Sequence, residues 1–367
     1  MNKKIRIFDL KYEKNFLKEF YIHSKKILKK GFLTNDEYVI KLEKLFSLKN
    51  NSKYSVAVNS GTSALELILR SVEITNKEVI VSNNTFIATA VSIKSAGGIP
   101  IPVDLDNSFF GPSLDSIKKK ITKKTKVVVL VHISGLINKN ILEIKKFCNE
   151  KNIFLVEDCA QAYGSSAYNT QAGNFGIAAA FSFFTTKVVA SGEGGIIVTK
   201  SYSLYKKLIR NRQFGYLKSN NLIHSSNGSN FKLSELNALL AYLDLNRSHS
   251  RILKRNKIAS IYQKKLNPKK YLCLKQNDNS FSNYYKQIII PLSNTRKTIQ
   301  EKLNKNNIPL TGGVYNKPLN RQPILGLIPN NKFPNSSYFS DYHFCPPCYP
   351  ELSLTQVERI CKVLNSL

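Results

Sequence analysis

Residues 181–195 read FSFFTTKVVASGEGG and carry one lysine, Lys187, between an aromatic run and a glycine-rich turn. A lysine amine becomes a useful nucleophile when burial and neighbouring groups lower its pKa. The phenylalanines offer such burial, and the glycines permit a tight turn after it. A lysine beside phenylalanines is also typical of a strand end whose apolar stem lies along the core. The rest of the chain therefore decides between a reactive and a structural Lys187.

Short apolar strands alternate with helices before this stretch. The hydrophobic pattern predicts strands at 54–58, 78–82, 99–103, 126–132 and 153–156. Because strands that alternate with helices usually pair in parallel, we expect an α/β fold with a mostly parallel sheet covered by helices on both faces. Ligands bind such sheets at the carboxyl ends of the strands. Four candidate sites follow strands in this way: Gly61-Thr62, Phe86, His132 and Asp158.

The later part of the chain differs from this alternating region. Residues 218–230 are rich in Asn, Ser and Gly and predict a loop, and a clear helix follows at 233–245. From 246 onward, a basic helix, short extended segments and a proline-rich region predict a smaller α+β domain. We therefore divide the chain into a large ligand-binding domain at 1–245, with the N-terminal helical segment included, and a small C-terminal domain at 246–367.

The chain has 55 lysines and arginines against 24 acidic residues, a formal net charge of +31. Such an excess raises the hypothesis of nucleic-acid binding. Arg247, Arg251 and Arg255 recur every four residues and would share one helix face. No zinc-finger spacing, RNA-binding aromatic strand or basic-zipper heptad accompanies them. We interpret this face as solvated, and we expect the charge to attract a phosphorylated small molecule as readily as nucleic acid.

The sequence also indicates a compartment. Residues 1–10 lack the apolar core of a signal peptide, and the longest apolar runs, at 127–131 and 288–292, are too short to span a bilayer. Of the six cysteines, Cys345 and Cys348 form the one close pair, around two prolines. A lone CxxC lacks the ligands of a zinc site, so we expect a proline-fixed loop, no metal and a reducing compartment. These features predict a soluble cytoplasmic protein.

The candidate sites together fit the needs of one cofactor. Pyridoxal phosphate requires a lysine for its aldehyde, a carboxylate for its ring nitrogen, an aromatic stack and a phosphate cup. Lys187, Asp158 and Phe86 would supply the first three. The Gly61-Thr62 turn leads from a predicted strand into a helix, whose first N–H groups attract an anion. No Ser-His-Asp triad competes with this interpretation.

Six motifs carry a resemblance to a known family: NSGTSALEL at 59–67, NTFIATA at 84–90, PVDLD at 102–106, EDCAQAYGS at 157–165, FSFFTTKVVASGEGG at 181–195 and GSNFKLSELNALLA at 228–241. With them the sequence resembles the DegT/DnrJ/EryC1/StrS aminotransferases over nearly its whole length. These are pyridoxal phosphate enzymes of fold type I that aminate keto sugars attached to nucleotides. The fourth and fifth motifs together are the most specific part of the resemblance.

The resemblance implies roles around the cofactor ring. Lys187 would bond to the cofactor aldehyde and then move the proton between substrate and cofactor. Asp158 would pair with the ring nitrogen and keep it protonated, so that the ring can accept electrons. Gln161 would lie beside the ring hydroxyl, and Phe86 would stack on the ring face.

The resemblance also implies how the cofactor phosphate is held. Gly61, Thr62 and Ser182 match the positions that bind it within one chain. Asn230 matches an asparagine that family members lend to the phosphate across a dimer interface. We therefore expect a homodimer that is required for activity.

Two regions depart from the family pattern. The usual HxYG element reads HISG at 132–135, and the usual YxPLH element reads YNKPLN at 315–320, with Asn320 in place of histidine. Both regions border the sugar pocket in relatives. The departures therefore leave the cofactor chemistry intact and leave the identity of the substrate open.

The reaction that the resemblance implies is a ping-pong transamination. Glutamate would donate the amino group, and the 3- or 4-keto group of a nucleotide-linked deoxysugar would accept it, which gives an amino sugar for surface glycan synthesis. A cyclitol ketone such as an inosose is an alternative acceptor. Outside enzymes, the alternative is a basic regulatory or nucleic-acid-binding protein on the same fold, against which the presence of both Asp158 and Lys187 argues.

Overall fold

The computed structural model describes residues 4–217, 220–276, 279–310 and 313–367. The helices are α1 Lys14–Lys30, α2 Glu37–Lys49, α3 Gly61–Ser71, α4 Ile87–Ser95, α5 Leu114–Lys118, α6 Ile141–Glu150, α7 Tyr202–Asn211, α8 Glu235–Lys265, α9 Arg296–Lys305, α10 Pro334–Tyr342 and α11 Leu354–Asn365. The strands are β1 Tyr54–Val58, β2 Glu78–Ser82, β3 Ile99–Val103, β4 Thr125–Val131, β5 Phe154–Asp158, β6 Ser166–Ala167, β7 Thr170–Gln171, β8 Ala178–Ser182, β9 Gly195–Thr199, β10 Tyr216–Leu217, β11 Asn220–His224, β12 Tyr271–Cys273, β13 Ser280–Phe281 and β14 Ile289–Pro291.

A sheet in the strand order β1-β9-β8-β5-β4-β2-β3 forms the centre of the described chain. Strands β3, β2, β4, β5 and β8 pair in parallel, whereas β9 pairs antiparallel with both β8 and β1. The predicted mostly parallel α/β sheet is therefore confirmed. The strands β1, β2 and β3 have the predicted bounds, and β4 and β5 differ from theirs by one or two residues, as is usual for element ends.

Alternate residues of the central strands point to opposite faces of the sheet. In β4, Val128 and Leu130 lie in the apolar core that the sheet shares with α2, α6 and α8. Val127 and Val129 lie in the opposite core, with α3, α4 and α7. Both faces of the strand are therefore buried, which explains why its sequence is continuously apolar rather than alternating.

A buried carboxylate joins the start of α2 to the start of α8. Glu235, the first residue of α8, accepts backbone hydrogen bonds from Asp36 at 2.8 Å, Tyr38 at 2.7 Å and Val39 at 3.1 Å. The first N–H groups of a helix have no acceptor within it, and negative charge is favourable there. The side chain of Glu235 therefore caps a neighbouring helix.

The basic helix face predicted after 245 is buried rather than solvated. Arg255 is 1% exposed and donates to the backbone oxygens of Tyr285 at 2.9 Å and Cys348 at 2.5 Å. Arg251 is also buried and lies 3.6 Å from Glu351. The prediction of a solvated face is wrong, because segments from the C-terminal part of the chain pack against this side of α8.

Two other predictions concern the same half of the chain. The predicted loop at 218–230 contains strand β11, which pairs with β10; residues 218–219 of that prediction lie outside the described residues. The domain division at 245/246 stays a prediction, and α8 crosses that position without a break. Among the helices of the described chain, none combines the length and the apolar character needed to cross a membrane.

Candidate active site

A cavity of about 430 Å³ opens at the carboxyl ends of the parallel strands. The predicted site residues that line it are Gly61, Thr62, Phe86, Asp158, Gln161, Ser182 and Lys187. They lie far apart in the sequence and meet because β1, β2, β5 and β8 end at the same edge of the sheet. The remaining strand-end residue, His132, is buried away from the cavity, with its Nε2 2.9 Å from a carboxylate oxygen of Glu157.

The loop that carries Lys187 leaves β8 and folds back to begin β9. Backbone hydrogen bonds close it from Phe183 to Gly194 at 2.8 Å and from Thr185 to Gly192 at 3.1 Å. Gly192 has a φ of +81°, a left-handed conformation that favours glycine. The Lys187 N–H donates to the Phe184 oxygen at 2.8 Å. The predicted tight glycine turn therefore fixes the backbone on both sides of the lysine.

Helix α8 holds this loop from outside. The Asp244 carboxylate accepts the Ala190 N–H at 2.8 Å, and the Asn237 amide donates to the Glu193 oxygen at 2.7 Å. Asp244 is fully buried, so its charge-assisted hydrogen bond is shielded from water. The position of the lysine loop is therefore set by a helix that follows it by about fifty residues.

The amine of Lys187 rests against an aromatic ring. Its Nζ lies 4.8 Å from the ring centroid of Tyr285, within the range of a cation–π contact. The Tyr285 hydroxyl is 2.8 Å from the hydroxyl of Thr186. Burial acts to raise the pKa of Tyr285, but the net effect of its neighbours is to lower that pKa. The lowering comes from the charge of Lys187, the hydrogen bond with Thr186 and the charges of Lys286 and Arg255.

Asp158 ends β5 with its carboxylate buried at the cavity wall. One oxygen accepts the Thr89 hydroxyl at 2.8 Å, and the other accepts the Ala160 N–H at 3.1 Å. Burial raises the pKa of Asp158, and these two hydrogen bonds and the charge of Lys187 oppose that rise. A carboxylate in this state is stabilised further by a cationic N–H group, as a protonated ring nitrogen would provide.

The start of α3 forms a narrow cradle against the end of β8. Ser60 caps the helix by accepting the Ser63 N–H at 3.0 Å, so the N–H groups of Gly61 and Thr62 lie at the positively polarised helix end. A Cβ at Gly61 would lie only 2.8 Å from the Cβ of Ser182. Glycine is therefore required for this close approach, and an anion can reach the helix end and the Ser182 hydroxyl together.

Two aromatic rings flank the other side of the cavity. Phe86 is 60% exposed, and its ring centroid lies 6.5 Å from that of Tyr315, with an angle of 27° between the planes. The Tyr315 hydroxyl accepts the Gln161 side-chain N–H at 2.8 Å, and the Gln161 oxygen accepts the Ser134 N–H at 2.7 Å. An exposed ring beside Asp158 is able to stack on a flat ligand.

Two asparagines lie outside this cavity. Asn230 is exposed, and its backbone oxygen accepts a hydrogen bond from the Asn59 side-chain amide at 3.2 Å. Its expected role at the site of a second copy stays a prediction. Asn320, which replaces the histidine of the family pattern, is buried and exchanges hydrogen bonds with Asn83 at 2.9 and 3.0 Å. It therefore anchors its segment to the end of β2 and does not line the cavity.

Sequence reasoning missed several residues of the site, among them Thr89, Tyr285 and Lys286. Thr89 could have been found, since it follows Phe86 by three positions at a helix start and so lies on the same side. Tyr285 and Lys286 belong to an apolar extended segment that carries no motif. Asn283 brings that segment to the site by donating to the backbone oxygens of Gln161 at 2.9 Å and Tyr163 at 2.8 Å.

Comparison with known proteins identifies the family. The DegT/DnrJ/EryC1/StrS aminotransferase family matches residues 16–365. The chain belongs to this family. It is therefore a pyridoxal phosphate-dependent aminotransferase, as the motifs predicted.

Individual relatives of this aminotransferase cover nearly all of it. It is 30% identical over 332 residues to GDP-perosamine synthase of Escherichia coli O157:H7, which covers 89% of each chain. It is 28% identical to the dTDP-3-amino-3,6-dideoxy-alpha-D-galactopyranose transaminase of Aneurinibacillus thermoaerophilus, over 98% of this chain and 97% of the relative. The structure of Helicobacter pylori PseC, an aminotransferase of pseudoaminic acid biosynthesis, matches with a TM-score of 0.89 at 24% identity over 99% of both chains, which supports the same fold.

The cavity of the aminotransferase fits pyridoxal phosphate. The amine of Lys187 and the buried carboxylate of Asp158 line the same space, so both ends of a pyridine ring can be met at once. The cradle at Gly61 leaves room for a phosphate where a larger residue would touch Ser182. The exposed ring of Phe86 offers a stacking surface.

Proposed function

We propose that this aminotransferase transfers an amino group to the 3- or 4-keto group of a nucleotide-linked deoxysugar, with glutamate as the donor. The names of two relatives, a GDP-perosamine synthase and a dTDP-amino sugar transaminase, support this class of acceptor. The net charge of +31 favours encounter with a substrate that carries a diphosphate. The product is an amino sugar, and we propose surface glycan synthesis as its use.

The observation that carries the proposal is the shared cavity of Lys187 and Asp158. When bound, pyridoxal phosphate supplies an electron-accepting ring that carries the amino group from donor to acceptor. In our proposal Asp158 holds the proton on the ring nitrogen, and Thr89 and Ala160 keep its carboxylate oriented. The Lys187 amine, once free in the cavity, would take up and return the proton at the substrate carbon as a general acid and base.

The phosphate of the cofactor is assigned to the start of α3. The N–H groups of Gly61 and Thr62 and the hydroxyl of Ser182 would bind it, because the helix end is positively polarised there. Gln161 would lie beside the ring hydroxyl, and Phe86 would stack on the ring. These contacts fix the ring while its substituents change.

We further propose a homodimer in which Asn230 of a second copy completes the phosphate site. The exposure of Asn230 on the side of Asn59, two residues before Gly61, supports this arrangement. We assign the enzyme to the cytoplasm, with support from its six free cysteines, which are usual in a reducing compartment. Mixing an inactive Asn230→Ala chain with an inactive Lys187→Ala chain tests the dimer, since a mixed dimer would regain one intact site.

Two half-reactions test the function. Purified enzyme is loaded with pyridoxal phosphate, and glutamate is added in the absence of an acceptor, while the visible absorbance of the bound cofactor is recorded. We expect one cofactor per chain to convert to its amino form and one 2-oxoglutarate to be released. Keto-deoxysugars linked to GDP, dTDP and UDP, and an inosose, are then added separately.

We expect the original absorbance to return when a sugar nucleotide is added and not when the inosose is added. Asp158→Asn should lower kcat by about two to four orders of magnitude, whereas Asp115→Asn, which makes the same change on the exposed face of α5, should not. Return of absorbance with the inosose alone would replace the sugar-nucleotide proposal with the cyclitol one.

A further inference from the structure

A second cavity, of about 160 Å³, lies directly behind the active-site wall. Thr186, Tyr285 and Lys286 line both this cavity and the active-site cavity, so the two cavities share part of a wall. Its other polar lining residues are Arg255, Cys345 and Cys348, and the remainder are apolar. A space of this size exceeds the roughly 30 Å³ that one water molecule occupies, and it admits an ion of four or five heavy atoms.

Arg255 brings an incompletely bonded cation to this cavity. One of its terminal nitrogens donates to two backbone oxygens, at 2.9 and 2.5 Å. Its Nε has no hydrogen-bond partner in the part of the chain that the structure describes, although the side chain is 1% exposed. A buried donor without an acceptor is destabilising, and a guanidinium stays protonated even where burial lowers its pKa.

Lys286 brings a second positive charge. Its backbone is fixed on both sides, because its N–H donates to the Ser134 hydroxyl oxygen at 3.0 Å and its oxygen accepts that hydroxyl at 2.6 Å. The ion pairs found within the described residues do not include Lys286. A lysine held at a cavity wall without an acidic partner is available to an anion.

The cavity lining supplies no compensating negative charge. None of the described residues that line it is Asp or Glu. Burial raises the pKa of the Cys345 thiol to about 12 and that of Cys348 to about 11, so both thiols are neutral. The nearby carboxylate Glu351 lies 3.6 Å from Arg251 and is not among the lining residues.

We propose that Arg255 and Lys286 form a binding site for a small oxyanion in the cavity behind Tyr285. Such an anion would accept a hydrogen bond from the Arg255 Nε and pair with the Lys286 amine, which satisfies both cations at once. The oxyanion is either free in solution, such as sulfate or phosphate, or the carboxylate of a substrate that reaches past Tyr285 from the active site. In both cases the site sits against the ring on which the Lys187 amine rests.

Equilibrium dialysis of the cofactor-loaded enzyme against radiolabelled sulfate tests the site. Bound cofactor fills the phosphate cradle at Gly61, so sulfate cannot bind there, and 100 mM chloride screens the general positive charge. We expect one saturable sulfate per chain. Lys286→Gln should weaken its binding at least tenfold, whereas Lys254→Gln, which removes the same charge from the exposed side of α8, should not.

Arg255→Met gives a second test of the same site. We expect at least a tenfold loss of sulfate affinity; if this variant does not fold, Lys286→Gln alone decides. Succinate distinguishes the two sources of the oxyanion: competition with sulfate indicates a substrate carboxylate, and simultaneous binding indicates a free ion. The proposal is overturned if the loaded enzyme shows no saturable sulfate binding, or if Lys286→Gln binds sulfate as Lys254→Gln does. Neither result depends on which sugar the enzyme aminates.

Discussion

Replacement of Gly61 by alanine is the sharpest test of the phosphate cradle. The new Cβ would lie 2.8 Å from the Cβ of Ser182 and 3.3 Å from its Oγ, whereas ordinary contacts begin near 3.4 Å. Neither backbone moves freely, because Gly61 begins α3 and Ser182 ends a strand of the central sheet. Overpacking of this kind costs about 1–3 kcal/mol, and the start of α3 has to shift away from Ser182.

The variant should therefore bind the cofactor more weakly. Each 1.4 kcal/mol lost from the bound state is about tenfold in affinity, so a loss of about 1–3 kcal/mol predicts that pyridoxal phosphate binds roughly 5- to 140-fold more weakly to Gly61→Ala. Titration of the apoenzyme, followed by the absorbance of the bound cofactor, gives the dissociation constant. Circular dichroism during urea unfolding of the same apoenzyme gives the stability.

A second substitution isolates the cause. Ser182→Gly removes the atoms that the new Cβ meets, so Gly61→Ala should cost less in the Ser182→Gly background than in the wild type, by about 1 kcal/mol or more in unfolding free energy. Ser182→Gly alone provides the baseline, since it also removes the hydroxyl. Equal costs of Gly61→Ala in the two backgrounds would refute the argument from close contact.

Further outcomes follow from other parts of the structure. Lys187→Ala should abolish turnover and the absorbance change with glutamate. It should change the free energy of unfolding in urea by no more than about 0.5 kcal/mol, because the lysine is half-buried and outside the apolar cores. A loss of folding would contradict this. Burial lowers the pKa of His343 to about 3. Between about pH 6.5 and 3 the unfolded state therefore binds more protons than the folded state does. The free energy of unfolding falls as the pH is lowered through that range, by at most about 1.4 kcal/mol per pH unit from this group. Urea midpoints at several pH values should show a shallower slope in His343→Gln. Glu235→Gln should lower the unfolding free energy by about 1.5–3 kcal/mol, since a charged acceptor of three N–H groups is lost, and the exposed Glu37→Gln serves as its matched control.

The parallel sheet and part of the cavity were predictable because both depend on local pattern. Strands that are buried on two faces read as continuous apolar runs, and the residues after them meet at one edge of the sheet. This logic predicts that Gly61-Thr62, Phe86 and Asp158 lie together, as they do in the cavity. It also selected His132, which is buried against Glu157 instead, because strand-end position does not determine which way a side chain points.

The errors share a different origin. The four-residue spacing of Arg251 and Arg255 gave the correct helix face but not its burial, since burial depends on segments about thirty and ninety residues further along the chain. Strand β11 was missed because its polar residues show neither an apolar run nor alternation. Tyr285 and Lys286 reach the cavity through the hydrogen bonds of Asn283, and no local pattern records such a tertiary contact.

Helix α8 contacts both the loop that carries Lys187 and the segment that carries Tyr285, whose ring lies against the lysine amine. Near its start, Asp244 and Asn237 hold the loop of Lys187, and further along the same helix Arg255 holds the backbone of Tyr285. The distance between Lys187 and Tyr285 therefore depends on the length of one helix, which rises about 1.5 Å per residue. It depends less on how the two halves of the chain pack against each other. A kink introduced between 244 and 255 would misalign the amine and the ring without altering either one.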